Sequence, residues 1–210
     1  MWELMVKGGP IMLLIMLASV VAVAIVFERI WHLRRAEINT KSFMDEISRV
    51  LKRNKIIDAI DLCNATPGPI ASIVKAGILK HDRSKPEIRE AIEDAAIHEI
   101  PRLEKNIDIL ATIAHISPLL GLLGTVTGMM KAFQVIEQKA TALSPVNPGD
   151  LAGGIWEALI TTVGGLVVAI PTYVAYNFLV SKVKGFVLEM EKSATDVINI
   201  LGSKREDDEV

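Results

Sequence analysis

This chain has one cysteine, few aromatic residues and no excess of either charge. Cys63 has no second cysteine to bridge to and no His or Cys at ligand spacing, so a disulfide framework and a zinc site are both excluded and a buried, inert thiol is expected. Lys and Arg number 23 against 25 Asp and Glu, a net charge of −2. That balance leaves no nucleic-acid footprint, and the basic residues have to be read by location. No nucleophile paired with a base, no metal-spaced cluster and no phosphate-binding loop can be assembled, which points away from an enzyme, a metal or a cofactor. Repeats and low-complexity tracts are also missing.

What the chain has is apolar residues. Half of its 210 residues are hydrophobic and the mean hydropathy is +0.38, a profile of membrane proteins rather than soluble globules. Three stretches reach the ~20 apolar residues a spanning helix needs: Pro10 to Phe27, Ile107 to Phe133 and Ile155 to Val180. The first has only Glu3 and Lys7 ahead of it and Arg29, Arg34 and Arg35 behind it. That asymmetry fits an uncleaved anchor with its N-terminus outside better than a signal peptide. Residues 28–106 are rich in Lys and Arg, whereas the link from Gln134 to Ala152 contains only Lys139, which again predicts an outer N-terminus and an inner C-terminus. The expected layout is a periplasmic start and first span over 1–31, a cytoplasmic helical segment over 32–106 and a second span over 107–133. A periplasmic link over 134–152, a third span over 153–180 and a cytoplasmic helix with an acidic tail over 181–210 complete it.

Helical periodicity runs from Thr40 to Cys63 and stops at the PGP of 67–69, and a further helix is expected over Ile70 to Leu79. The SKPE of 84–87 has the form of a capping box with proline in the first turn. From there the pattern has no clear stop, so one helix is expected to reach Phe133, about 47 residues or ~70 Å, bent if anywhere at Pro101. The third span extends likewise. Val183, Val187, Met190, Ala194, Val197 and Leu201 alternate spacings of four and three as a packing seam does, with Gly202 as the expected stop and a solvated tail beyond it.

The second and third apolar stretches contain the residues a lipid-exposed helix avoids. Ser117, Gly121, Gly124 and Gly128 share one face and let backbones approach closely, a packing role that extends to Gly165, Pro118 and Pro171. Thr125 and Thr127 flank that face and are expected to bond their own carbonyls at i−4. Pro171 leaves the Val167 carbonyl without its helical donor, a predicted kink or polar spot. Glu157 is the acidic residue of the third span. A carboxylate there costs roughly 2.5 kcal/mol or more, which marks an ion or proton path. An interfacial position near the positive end of the helix is the competing reading. Thr161, at i+4, lies on nearly the same face as Glu157, whereas Thr162 points about 140° away. Histidine as a residue type titrates near neutral pH, and for His115 packing through a hydrogen bond is favoured over a proton relay.

PLLGLLGTVTGMMKAF in the second span and GGIWEALITTVGGLVVAIPTYVAYN in the third resemble, in order and spacing, the two signature segments of the MotA/TolQ/ExbB proton channel family, with the three-span ExbB/TolQ branch the nearer. The resemblance implies an all-α integral membrane protein with three transmembrane helices, the second and third extended into long cytoplasmic helices. It also implies a ring-forming homo-oligomer, a pentamer in the bacterial inner membrane around a dimer of a single-span ExbD/TolR-like subunit that carries a membrane aspartate. Proton flow would then drive work through an envelope-spanning effector. On this resemblance the proton path comprises Thr125, Thr162 and Glu157, with Thr161, His115 and Ser117 as polar support. This chain departs from the pattern at Trp156, Thr161, Lys131 and His115, where a small residue, alanine, asparagine and a small or amide residue are expected.

The residues themselves also ask for a partner. Threonine does not titrate in this range, and one peripheral glutamate is a thin basis for moving protons across ~30 Å of hydrocarbon. The competing readings are a self-sufficient ion channel or small-solute transporter, and a structural scaffold in which Glu157 is an interfacial cap.

Overall fold

The computed structural model describes residues 8–142 and 145–208, with the side chains of 203–208 left aside. Among these residues helices follow one another without a strand: α1 Gly9–Ala36, α2 Thr40–Lys52, α3 Ile56–Ala65, α4 Pro69–Ile78, α5 Lys85–Glu104, α6 Ile107–Thr141 and α7 Pro148–Asp208. They divide into two compact units, one from Met1–Glu28 with Asn106–Phe178, the other from Arg29–Lys105 with Leu179–Val210.

The first unit holds the apolar start of α1, α6 and the first part of α7. Each lies in a stretch long and apolar enough to cross a membrane. The 35 residues of α6, at 1.5 Å each, exceed the ~30 Å of a bilayer core. Small residues set the packing of α7 on its neighbours. A Cβ built on Gly165 would stand 2.5 Å from the Ser117 carbonyl oxygen, and one on Gly128 would stand 2.5 Å from that of Gly154. The two helices therefore run antiparallel with their backbones in contact. Gly164, on the preceding position of α7, faces Met12 of α1 instead, 3.0 Å from such a Cβ. Outward from this seam stand Leu13, Phe27, Leu122, Val126, Val167 and Ile170, all exposed, an apolar surface that suits lipid or other membrane chains.

The second unit packs the end of α1, α2 to α5 and the rest of α7 around Leu33, Ile47, Leu51, Val74, Ile88 and Val197. The helix expected from Thr40 to Cys63 is two helices here. After Lys52 the amides of Arg53, Asn54 and Lys55 turn back onto the carbonyls of Val50 and Leu51 at 3.0–3.3 Å, and Asn54 adopts φ 63°. The KRNK run has no apolar side chain to bury, and asparagine tolerates the left-handed conformation that ends a helix. Gly68, at φ 111°, makes the PGP turn, where a Cβ would stand 2.7 Å from the Ala36 carbonyl oxygen. The capping box at the start of α5 forms, with the Ser84 amide donating to Glu87 at 3.0 Å and its hydroxyl at 2.6 Å.

The 47-residue helix expected through Phe133 is interrupted as well. It stays helical through Pro101 and breaks at Lys105–Asn106, where Asn106 takes φ 62°. The break deprives the Arg102 carbonyl of the amide four residues on. Buried Arg29 donates to that carbonyl at 3.2 Å and replaces the lost partner. Gly202 does not stop α7, which continues to Asp208. A side chain at Gly202 would collide with that of Lys85, so this glycine makes room for the start of α5. The seam from Val183 to Leu201 is buried or half-buried throughout, with Phe186, Ser193 and Ile198 added to it. The acidic end of the tail, Glu209, lies outside the described residues, as do the Glu3 and Lys7 of the topology argument.

Candidate functional site

Polar groups collect along the α6–α7 seam of the first unit. Thr161 is fully buried, fills the hollow that Gly124 leaves, and shares its hydroxyl proton between its own helix's Glu157 and Ala158 carbonyls at 2.9 Å. It is thus a packing residue whose polar end is satisfied locally. Thr162, half-buried one position on, donates across the seam to the Gly121 carbonyl at 3.2 Å, with the Ala158 carbonyl of its own helix at the same distance. Thr125 stands one turn beyond Gly121, half-buried, and donates to the Leu122 carbonyl at 2.6 Å. Thr127 bonds Gly124 at 3.1 Å. Both bonds reach back three residues, not the four expected, because these hydroxyls swing toward the nearer carbonyl of the preceding turn.

Ser117 is buried, and its hydroxyl has no partner among the described residues. His115 is exposed. Its contact is an edge-on approach to Tyr173, with ring centroids 6.3 Å apart at 66°, instead of the hydrogen bond expected for it. Pro171 leaves α7 unbroken, and Thr172 beside it donates to the Val168 carbonyl at 2.7 Å.

Glu157 has a partner that sequence spacing gives no sign of. The Lys131 ammonium donates to both of its carboxylate oxygens, at 2.5 and 2.8 Å, a bidentate, charge-assisted contact between α6 and α7. Glu157 is 14% exposed at its side chain and Lys131 53%. Gly9 backs the carboxylate, since a Cβ there would stand 2.5 Å from Oε1. Beside the pair opens a cleft of about 670 Å³ that Trp156 and Asp150 also line. Asp150 is engaged separately, by Lys139 at 2.5 Å and by the Asn147 amide at 2.8 Å. The hydrogen bond from Lys139 holds its carboxyl below the usual carboxylate range. Lys131 and Glu157 are 26 positions apart in the chain, so only the close approach of Gly128 to Gly154 and Ala158 brings them together.

A bundle of apolar helices, joined by glycines and carrying hydroxyls and an ion pair between them, defines a polytopic α-helical membrane protein. The chain belongs to the MotA/TolQ/ExbB proton channel family, which matches residues 65–192 and so takes in both signature segments. It is 31% identical over 170 residues to the biopolymer transport protein ExbB-like 3 of Synechocystis, covering 81% of this chain and 80% of that one. To the Tol-Pal system protein TolQ of Haemophilus influenzae it is 35% identical over 175 residues, 77% and 74% of the two chains. It also aligns with the biopolymer transport protein ExbB of Neisseria meningitidis, at 26% identity over 94% of this chain and 96% of that one.

Proposed function

We propose that this chain is the ring subunit of a proton-driven motor in a bacterial inner membrane, non-enzymatic, with its N-terminus periplasmic and its C-terminus cytoplasmic. In this reading several copies, five by the family resemblance, surround a dimer of a single-span ExbD/TolR-like subunit, and proton flow at their interface does work across the envelope through an envelope-spanning effector. Support comes from membership of the proton channel family and from one observation above all: Thr125 and Thr162 carry half-buried hydroxyls on either side of a seam whose glycines let the helices touch.

A threonine hydroxyl cannot carry a proton alone at neutral pH, but it can donate and accept in turn. Repeated around a ring, the hydroxyls of Thr125 and Thr162 would orient water or the acid that a companion helix brings. Each now spends its proton on a backbone carbonyl, at 2.6 and 3.2 Å, and a rotation about χ1 frees it. Glu157, which lines the cleft, contributes charge near the path, and Thr161, Ser117 and the glycines Gly121, Gly124 and Gly128 keep the helices at the required distance.

The test is reconstitution into liposomes with and without the single-span subunit, with proton uptake followed under an imposed gradient. Uptake that needs both subunits is expected. Equal uptake by the chain alone would make it a self-sufficient channel, and no uptake with the partner present would end the reading.

A further inference from the structure

We infer that His115 and Tyr173 line a water-filled vestibule of the proton path, on the side of Thr125 and Thr162 that the proposed topology turns toward the cytoplasm. The inference rests on the reading of the chain as a proton channel subunit and adds two lining residues to it.

Helix geometry puts both residues on the threonines' side of the seam. On α6, Thr125, Leu122, Pro118, His115 and Ala111 follow at spacings of three, four, three and four, and on α7, Thr162, Leu166, Tyr173 and Asn177 follow at four, seven and four. Each set shares a face. Along their helices, at 1.5 Å per residue, His115 stands about 15 Å from Thr125 and Tyr173 about 17 Å from Thr162. The two rings meet edge-on, with centroids 6.3 Å apart, so the two faces form one surface. That surface looks away from α1. Gly164, which faces Met12, precedes Tyr173 by nine positions, which at about 100° per residue is half a turn round α7.

The chemistry of the surface selects water. His115 and Tyr173 are both exposed, and both lie in helices apolar enough to cross a membrane. Neither the imidazole nor the phenol hydroxyl hydrogen-bonds to another described residue. Turned to acyl chains, these donors and acceptors would have nothing to satisfy them. A histidine inside a span faces either the bundle interior or a water-filled cavity, and exposure excludes the interior of this bundle for His115. Asn177 continues the same surface, exposed, with its amide nitrogen donating to the Tyr173 carbonyl at 3.0 Å. Tyrosine also favours the membrane–water boundary whichever way it faces, so face and depth have to be separated by experiment.

The test makes His115→Cys and Tyr173→Cys in the full-length chain, with Ile116→Cys and Val174→Cys as controls. The controls are exposed too and sit one position on, at the same depth but about 100° round each helix. Membranes are treated with a sulfonated methanethiosulfonate, a charged thiol reagent confined to water, and mass spectrometry reads each introduced site apart from Cys63. Positions 115 and 173 are expected to label about tenfold faster than 116 and 174, because the reactive thiolate forms in water and not in hydrocarbon. Equal labelling at all four would mean depth alone, slow labelling at 115 and 173 would mean a dry surface, and either overturns the proposal. The two positions are read separately, so if one variant fails to fold the other decides. Labelling at 115 or 173 should also abolish partner-dependent proton uptake, and uptake that survives it would take the vestibule off the path. The labelling contrast needs no partner and no flux, so failure of the motor reading, seen as absent uptake before any labelling, is separable from failure of this one.

Discussion

Thr161 occupies the space that a side chain on Gly124 would need. A Cβ built there falls 3.0 Å from Thr161 Cγ2 and closer still to its Cβ and Oγ1. Gly124→Ala should therefore force α6 and α7 apart and destabilise the protein by about 1–3 kcal/mol, the range for overpacking a tight contact. Thermal unfolding of the purified chain in detergent measures it, and Thr161→Gly on the same chain should recover most of the loss. An alanine variant as stable as the parent would mean the seam is looser than described.

Thr162→Val keeps the shape of the side chain and removes the hydroxyl that reaches Gly121. Stability should fall little, by about 0.6 kcal/mol, as for hydrogen bonds between membrane helices. Partner-dependent proton uptake should fall about tenfold, the factor of one ~1.4 kcal/mol interaction, and Thr125→Val should behave alike. Full uptake in both variants would exclude the hydroxyls from the path.

The capping box makes the start of α5 sensitive to acid. Hydrogen bonds from the side chain and amide of Ser84 hold the Glu87 carboxyl below its ordinary 4.5. A depressed carboxyl stabilises the fold above its unfolded value, and that contribution disappears as pH falls through the depressed one. Hydrogen exchange in the first turn of α5 should thus be insensitive to pH-linked unfolding at neutrality and should quicken only once pH falls below the ordinary value of 4.5. Glu87→Gln should remove that acid step.

Burial pushes the Cys63 thiol up to about 11, with Lys75 opposing more weakly. Its raised value means the neutral thiol stabilises the fold below the unfolded thiol's range and loses that contribution as pH rises through about 11. Alkylation by iodoacetamide at pH 8 should run about a hundredfold slower than in the denatured chain, following the thiolate fraction. Comparable rates in the two states would show the thiol to be accessible.

Periodicity and composition determined much about this protein on their own. Apolar runs of sufficient length, the four-three-four spacing from Ser117 to Gly128, and the two signature segments lie in the order of residues, because a helix turns local spacing directly into a shared face. Helix ends were harder to read. Asn54 and Asn106 break runs that look continuous, since a left-handed asparagine competes with helix propagation by a margin set by whichever neighbours take up the freed carbonyls, as Arg29 does for Arg102. Gly202 looked like a stop and is a packing surface for Lys85. The ion pair of Lys131 with Glu157 came only with the tertiary structure. No local rule links positions 26 apart, and it takes two helices meeting at glycine to bring an ammonium group within hydrogen-bond reach of a carboxylate.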